Sequence, residues 1–234
     1  MERRDFIKAC AATCAVGAPG ELPAKNLTPR FYARTQLTDA RGQPFRAARL
    51  VPRRNYIFHY PFEATPCFLL NLGKPTVGGV ELKTEDGSIY EWPGGVGPNR
   101  AIVGFSAICA HRMSYPTPQI SFISYRDRAT ASATARTDVI HCCSEHSEYD
   151  PSSGARVVGG PAPQPLSAVI LEYDPGSDGL QAVGMLGGEM FDAFFAKFEF
   201  KLALDYGAAS VRRQVTARTV VKELEQFCKQ QVRC

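Results

Sequence analysis

The chain contains two short motifs that each place one cysteine near one histidine. Cys-Ala-His stands at residues 109–111 and Cys-Ser-Glu-His at residues 143–146. Thiolates and imidazoles are common metal ligands, and neither motif alone supplies a full ligand set. A metal centre made from both motifs therefore requires a fold that brings two separate loops together, each donating one ligand of each kind.

The residues after the second motif extend this pattern. Tyr149 and Asp150 come first, then Gly154, and then Gly-Gly-Pro-Ala-Pro-Gln-Pro-Leu at residues 159–166. Together with the two ligand motifs, they resemble the Rieske iron-sulfur proteins, in which a proline-rich loop covers the cluster. The resemblance implies a Rieske-type [2Fe-2S] cluster, with one iron bound by two thiolates and the other by two imidazoles.

Other segments resemble one branch of this family, the small subunit of arsenite oxidase. They are Thr-Pro-Cys at 65–67, Gly-Val-Gly-Pro at 95–98, Ile-Val at 102–103, Leu-Glu-Tyr-Asp at 171–174 and Leu-Gln-Ala-Val-Gly at 180–184. The resemblance implies an electron-transfer subunit of a periplasmic oxidoreductase rather than its catalytic chain. The implied partners are a catalytic subunit, of the molybdenum-containing kind, and a cytochrome c or small copper protein.

The resemblance also assigns roles to individual residues. Tyr149 is implied to bring its hydroxyl to a ligand thiolate, and Ser147 to hydrogen-bond a bridging sulfide. Gly160 and Pro161 belong to the closing loop. Cys142 precedes a ligand, and because neighbouring residues of a strand point to opposite faces, it is not expected to be a second ligand. The implied metal ligands are Cys109, His111, Cys143 and His146.

Two alternatives remain open. A structural zinc ion also accepts two thiolates and two imidazoles, so a zinc-stabilised binding module would use the same four residues. The proline-rich loop and Tyr149 favour the iron-sulfur hypothesis, because a zinc site needs neither. Within that hypothesis, the alternative is the Rieske subunit of a quinol-oxidising cytochrome bc complex, which normally needs an N-terminal membrane helix.

The chain departs from the family pattern in the ligand loops. Many members carry a further cysteine in each loop and join the loops by a disulfide, but Ser114 and Glu145 stand at those positions. The chain is also one residue short between His146 and Tyr149, and the segment between the motifs is long enough for an inserted hairpin around residues 120–125. The loops are therefore expected to be held by packing and hydrogen bonds.

Apart from Cys10 and Cys14 near the N-terminus, three cysteines lie away from the motifs. Cys67 lies in an apolar run and is expected to be a buried free thiol. Cys228 and Cys234 are near each other in the C-terminal tail, so they are candidates for a disulfide.

The charge of the chain is mildly basic, at +4 over 234 residues, and its Lys and Arg residues are scattered apart from short pairs. The sequence has no basic stripe of the kind that follows phosphates, so nucleic-acid binding is not expected. With 44% hydrophobic residues, the chain can bury a full core.

The N-terminus resembles a twin-arginine export signal. Residues 2–8, Glu-Arg-Arg-Asp-Phe-Ile-Lys, precede an apolar stretch of about ten residues, which is too short to span a bilayer. The twin-arginine route exports folded proteins, and this suits a cofactor inserted before export. We expect a signal segment over residues 1–24 and a periplasmic protein, with a membrane tether only if that segment is not cleaved.

The remaining pattern predicts an all-β fold. Apolar or alternating runs bounded by Gly and Pro are typical of strands. The predicted strands cover residues 56–62, 67–72, 101–108, 120–125, 168–173, 180–185 and 198–204. The spacing of Val211, Val215, Leu224 and Phe227 predicts an amphipathic helix over residues 211–232.

The predicted organisation is therefore antiparallel β sheets of the Rieske type with a C-terminal α-helix. Residues 25–190 form the β domain, with an inserted cluster-binding lobe over about residues 105–166. Residues 191–234 form a C-terminal extension. Residues 129–137, rich in Ala, Thr and Ser, are expected to form an exposed loop tip.

Overall fold

The computed structural model describes residues 26–127 and 136–234. The predicted signal segment at residues 1–24 and most of the predicted loop tip at 129–137 lie outside these ranges. The described strands are β1 (Arg30–Thr38), β2 (Tyr56–His59), β3 (Pro66–Asn71), β4 (Val80–Lys83), β5 (Ile89–Trp92), β6 (Ile102–Ser106), β7 (Ile120–Ser121), β8 (Ile123–Arg126), β9 (Val139–Cys142), β10 (Ser147–Asp150), β11 (Arg156–Gly159), β12 (Ala168–Asp174), β13 (Gly179–Leu186), β14 (Ala217–Val220), β15 (Lys222–Glu223) and β16 (Gln230–Gln231). The described α-helices are α1 (Phe191–Tyr206) and α2 (Leu224–Phe227).

An eight-stranded sheet forms the base of the molecule, in the order β14-β1-β13-β12-β6-β3-β2-β15. Its pairs are antiparallel except for β1 with β14. Side chains alternate between the two faces of a strand, so neighbouring residues of β3 enter different cores. Leu69 joins the core that contains α1, whereas Phe68 and Leu70 join the core beneath the metal-binding motifs. Because both faces are covered, the strands are continuous apolar runs in the sequence.

A smaller sheet of four antiparallel strands, in the order β11-β10-β9-β8, carries the second motif. Its inner face contributes Ile123, Ile140 and Tyr149 to the second core. Two short ribbons, β4 with β5 and β7 with β16, complete the described sheets. The prediction of an all-β fold is confirmed, and the six predicted strands before residue 186 coincide with β2, β3, β6, β7 with β8, β12 and β13.

The predicted strand at residues 198–204 is wrong, because these residues lie inside α1. Their alternation is coincidental. The buried positions Phe191, Phe194, Phe195 and Leu202 recur at helical spacing, whereas the alternating positions Phe200 and Leu204 are 79% and 71% exposed. None of the described helices is both long and apolar enough to cross a membrane.

The predicted helix over residues 211–232 is also wrong. This segment contains β14, β15, the four-residue helix α2 and β16 instead. The run of β-branched residues from Thr219 to Val221 favours strand over helix. The Val221 N–H donates to the carbonyl of Thr38 at 2.8 Å, which extends the pairing of β14 with β1. The C-terminal extension thus contains an α-helix, but at earlier residues than predicted.

His59, which matches no ligand position, is a structural residue of β2. Its Nε2 lies 3.2 Å from the hydroxyl of Tyr206 at the end of α1, and burial, followed by the charge of Lys222, lowers its pKa to about 4. An unfolded histidine has a pKa of about 6.5, so the unfolded chain binds the extra proton between these values. Stability is therefore lost as the pH falls from about 6.5 towards 4.

We expect the free energy of unfolding of His59→Gln to fall less between pH 6.5 and pH 4, by up to about 3 kcal/mol. This is the free energy that corresponds to the lowered pKa of His59. Urea unfolding of both proteins at pH 7.5, 6, 5 and 4 measures it. The prediction fails if the free energy of unfolding falls equally in both proteins over this range.

Candidate metal centre

The first motif lies in a loop that follows β6 and is fastened to α1. Within the loop, the Cys109 N–H donates to the carbonyl of Ser114 at 2.9 Å. The ring of Tyr115 packs edge-on against Phe194 at 4.9 Å, and Lys197 donates to the carbonyl of Arg112 at 2.7 Å. The aromatic residues of α1 thus set the position of this loop.

The second motif forms the turn between β9 and β10. The Cys143 N–H donates to the carbonyl of Phe122 at 2.7 Å. His146 ends the turn with a left-handed φ of 57°, a conformation that histidine adopts more readily than most residues. Its side chain is exposed at the surface. Because the turn joins paired strands, the register of β9 and β10 decides where each motif side chain points.

This register places Cys142, rather than Cys143, on the inner face of the small sheet. Cys142 lies opposite Ser147, and Ile140 lies opposite Tyr149. Paired residues and residues two apart share a face, so all four side chains point inward. There the thiols of Cys109 and Cys142 are almost completely buried, and they lie close enough for each to shift the pKa of the other.

The pKa values of the two thiols reflect this contact. The contact with Cys142, and then the hydrogen bond with Tyr149, lower the pKa of Cys109 against the opposing effect of burial. The contact with Cys109, followed by burial, raises the pKa of Cys142. Cys109 thus favours the thiolate form, and Cys142 holds a second sulfur beside it. Two neighbouring buried sulfurs of this kind can bind a metal ion.

The hydroxyl of Tyr149 reaches the first motif, as expected. It lies 3.2 Å from the Sγ atom of Cys109 and accepts a hydrogen bond from the Ala110 N–H at 3.1 Å. The Ala110 N–H occupies the oxygen as an acceptor, which leaves the hydroxyl proton for the Cys109 sulfur. Burial, followed by the charge of Cys109, raises the pKa of Tyr149, so the phenol stays protonated.

Two further atoms at the site are buried and lack a hydrogen-bond partner within the described structure. They are Nδ1 of His111 and Oγ of Ser147. Buried polar atoms are nearly always paired, and leaving one unpaired costs about 1–3 kcal/mol. These two atoms therefore point to a group that binds an imidazole nitrogen and accepts a hydrogen bond from a hydroxyl.

The expected ligand Cys143 needs correction. Its sulfur forms a disulfide with Cys234, across a sequence separation of 91 residues. A sulfur bonded in this way has no thiolate to offer a metal. Strand alternation, which gave the expectation about Cys142, was the right principle, but β9 presents the other cysteine of the pair to the inner face. Because the chain is one residue short between His146 and Tyr149, the family spacing leads to Cys143 when it is counted back from His146. Counted back from Tyr149 and Ser147, the same spacing leads to Cys142.

The other cysteines agree in part with expectation. Cys67 is a buried free thiol, as predicted. Cys228 is also free and buried, so the candidate disulfide between Cys228 and Cys234 is not formed. His141, Cys234 and His146 offer possible ligand atoms within 4.8 Å of one another on the outer side of the turn. The Cys234 sulfur in this group is already committed to the disulfide.

The closing loop packs directly on the second motif. Gly160 has a φ of 77°, and a Cβ atom added there would overlap the carbonyl oxygen of His146 and lie 2.6 Å from the Cα atom of Ser147. Pro161 follows on the surface, and Ala162 packs against the second core. The loop thus lies against the backbone of the ligand turn, and only glycine fits at its point of closest approach.

No family model matches the chain. The chain is similar to a solved structure, the soluble domain of the Rieske protein II (soxF) from Sulfolobus acidocaldarius. The sequence identity is 27%, the match covers 66% of this chain and 78% of that chain, and the TM-score is 0.44.

The residues present fit a cluster of two irons and two sulfides. Cys109 and Cys142 offer two neighbouring sulfurs, and His111 offers a buried imidazole nitrogen. The exposed ring of His146 lies 5.7 Å from that of His141, on the outer side of the turn, and has to rotate inward to supply the second imidazole. This division matches a centre with thiolates on one iron and imidazoles on the other. The hydroxyls of Tyr149 and Ser147 can donate hydrogen bonds to sulfur atoms. A zinc site would offer only its thiolate ligands as sulfur acceptors, whereas an iron-sulfur cluster also offers bridging sulfides.

Proposed function

We propose that this chain is a Rieske-type electron-transfer protein that holds a [2Fe-2S] cluster with Cys109, His111, Cys142 and His146. The observation that carries the proposal is the inner face of the small sheet. There two buried sulfurs, the Tyr149 hydroxyl and the unpaired Ser147 hydroxyl face the loop that carries His111. When bound, such a cluster accepts and releases one electron at a time.

The chain itself would control where the electron enters and leaves. The sulfur side is enclosed by the second core, whereas His146 is exposed and His111 is half-buried. A redox partner would therefore approach the histidine side. Arg112 and Glu145 form an exposed ion pair there, with 3.4 Å between Nε and Oε1, so the contact surface offers both charges.

We further propose the setting that the resemblance to arsenite oxidase implies. In this setting the protein is a periplasmic subunit that passes electrons from a catalytic, molybdenum-containing partner to a cytochrome c or small copper protein. The twin-arginine-like N-terminus and the segments matched between residues 50 and 188 support it. Affinity isolation of the tagged full chain from its own host, followed by metal analysis of the copurifying subunit, tests this assignment.

Metal and sulfide analysis of the anaerobically purified full chain tests the cofactor. We expect about two irons and two sulfides per chain, and a paramagnetic resonance signal that develops when the protein is reduced. A stoichiometric zinc content without sulfide would instead establish the zinc-stabilised module and overturn the proposal.

The hydroxyl of Tyr149 is expected to raise the redox potential. Its hydrogen bond to Cys109 is stronger when the ligand carries more negative charge, so it stabilises the reduced state. Tyr149→Phe removes a charge-assisted bond worth about 1.5 kcal/mol, and the midpoint potential should fall by roughly 60 mV for one electron. Protein-film voltammetry measures the change.

Tyr125→Phe is the matched control for this experiment. Tyr125 is another buried tyrosine of the small sheet, but its hydroxyl donates to Asp138 at 3.0 Å. The midpoint potential of the Tyr125→Phe variant should equal that of the unmodified protein. Equal potentials for all three proteins would show that the Tyr149 hydroxyl does not act on the cluster.

A further inference from the structure

The C-terminal residues 228–234, here called the strap, connect the two sheets of the molecule. The residues just before the strap are bound to the large sheet, because β15 pairs with β2 and the Leu224 N–H donates to the carbonyl of Asn55 at 2.9 Å. The strap starts from there, with the Cys228 N–H donating to the carbonyl of Leu224 at 2.8 Å. Leu224 is completely buried in the second core. The start of the strap is therefore fixed to the base.

The strap then runs along the metal-binding lobe. Its strand β16 lies parallel to β7, and the Lys229 and Val232 N–H groups donate to Pro118 and Ser121 at 3.0 and 2.9 Å. The guanidinium of the buried Arg126, on β8, donates to the carbonyl of Val232. The strap ends at Cys234, which is bonded to Cys143 in the ligand turn. A continuous path thus joins the base to this turn.

At the surface of the described structure, an ion pair joins the two ligand loops. Ser114 and Glu145 occupy the positions where a disulfide would join the loops. The ion pair between Arg112 and Glu145 leaves their side chains 65% and 40% exposed, and exposed pairs contribute little. The strap disulfide supplies a covalent constraint on the second loop.

The same bond separates two neighbouring sulfurs. Cys142 and Cys143 precede His146 by four and three residues, so each places a thiol at the turn that carries the histidine. With Cys143 bonded to Cys234 on the outer side, Cys142 is the member of this pair that remains available on the inner face, beside Cys109. Once formed, the bond therefore keeps the Cys143 sulfur from replacing that of Cys142 as an iron ligand.

We propose that Cys234 is a positioning residue for the metal centre. Through its disulfide with Cys143, it fastens the second ligand turn to the base and keeps the Cys143 sulfur out of the cluster. This inference rests on the proposed function. Formation of the bond transfers two electrons and two protons from the two thiols to the disulfide of a thiol-disulfide exchange protein, which becomes a dithiol, as suits an oxidising compartment.

The experiment compares Cys143→Ser and Cys234→Ser in the full chain, with Cys228→Ser as a control that removes a nearby thiol outside the disulfide. Peptide mapping without reductant should recover the Cys143 to Cys234 link from the unmodified protein. Both disulfide variants should still contain iron but lose it to a chelator about tenfold faster than the unmodified protein, the ratio given by about 1.4 kcal/mol. The double variant should be no faster than either single one, and Cys228→Ser should behave like the unmodified protein.

A second readout separates ligand selection from simple stabilisation. In Cys234→Ser the Cys143 thiol is released and can compete with Cys142, so the resonance spectrum of the reduced protein should contain two overlapping signals. Cys143→Ser cannot produce this mixture and should give one signal.

Three results would overturn the inference: unchanged iron loss in both variants, identical spectra from the two, or an iron-free Cys143→Ser beside an iron-loaded Cys234→Ser. An unmodified chain without iron would overturn the proposed function instead.

Discussion

Replacing Cys142 by alanine is expected to leave the purified protein without its iron-sulfur cluster. Cys142 and Cys109 supply the two neighbouring sulfurs on the inner face of the small sheet, and an iron that loses one of its two protein ligands is not retained. The neighbouring Cys143 cannot compensate while its sulfur is bonded to Cys234. Iron and sulfide analysis, together with the resonance spectrum of the reduced protein, measures the loss.

Cys67→Ala is the matched control for this variant. Cys67 is also completely buried and free, but it lies in β3 and joins the first core. Both substitutions remove one buried sulfur, so both carry a similar packing cost. Full iron content in the Cys142 variant would show that another residue is the ligand. Loss of iron in both variants would show that the effect comes from packing.

The sequence indicated most of the residues at this site because the chemistry leaves few choices. The structure brings together residues that the sequence had singled out. Tyr149 contacts Cys109 of the first motif, and Gly160 of the closing loop lies against the second motif. The choice between Cys142 and Cys143 was different. In the sequence these two neighbours differ only in their spacing to Tyr149 and to His146, and the two spacings favour different cysteines. The register of β9 against β10 shows that the spacing to Tyr149 is the one that matters.

Strands were easier to predict than the C-terminal extension. The strands β2, β3 and β6 are buried on both faces, and their continuous apolar runs have few other interpretations. In the extension, residues 198–204 alternate by coincidence within α1. Only the partners Tyr115 and Phe62, which pack against that helix, show which periodicity matters. Tertiary contacts of this kind are not visible in a local window.

The disulfide between Cys143 and Cys234 could not be predicted for a related reason. Several unassigned cysteines allow several pairings, and sequence distance favoured the nearby Cys228 as the partner of Cys234. In the structure, pairing of β16 with β7 carries the chain end past Cys228 and along the metal-binding lobe. The bond thus depends on a strand of two residues, which has almost no signal of its own.

Gly160 is the position in the closing loop where the smallest change should have a large effect. Its left-handed φ of 77° disfavours any side chain, and an added Cβ would overlap the carbonyl oxygen of His146 and crowd Ser147. Both neighbours are backbone atoms of the ligand turn, so they cannot move without moving the residues that face the metal. We expect Gly160→Ala to lower the free energy of unfolding by about 3 kcal/mol and to reduce the iron content.

Gly79→Ala separates the steric effect from backbone strain. Gly79 has a similar φ of 69°, but the nearest atom to an added Cβ would be the Glu91 carboxylate oxygen at 3.9 Å. It should therefore cost only the strain of a left-handed alanine, about 1 kcal/mol, and leave the iron content unchanged. Urea unfolding and iron analysis of both variants make the comparison. Equal losses would mean that the closing loop moves freely away from the ligand turn, whereas a loss confined to Gly160→Ala would show that contact between loop and turn holds the metal-binding backbone in place.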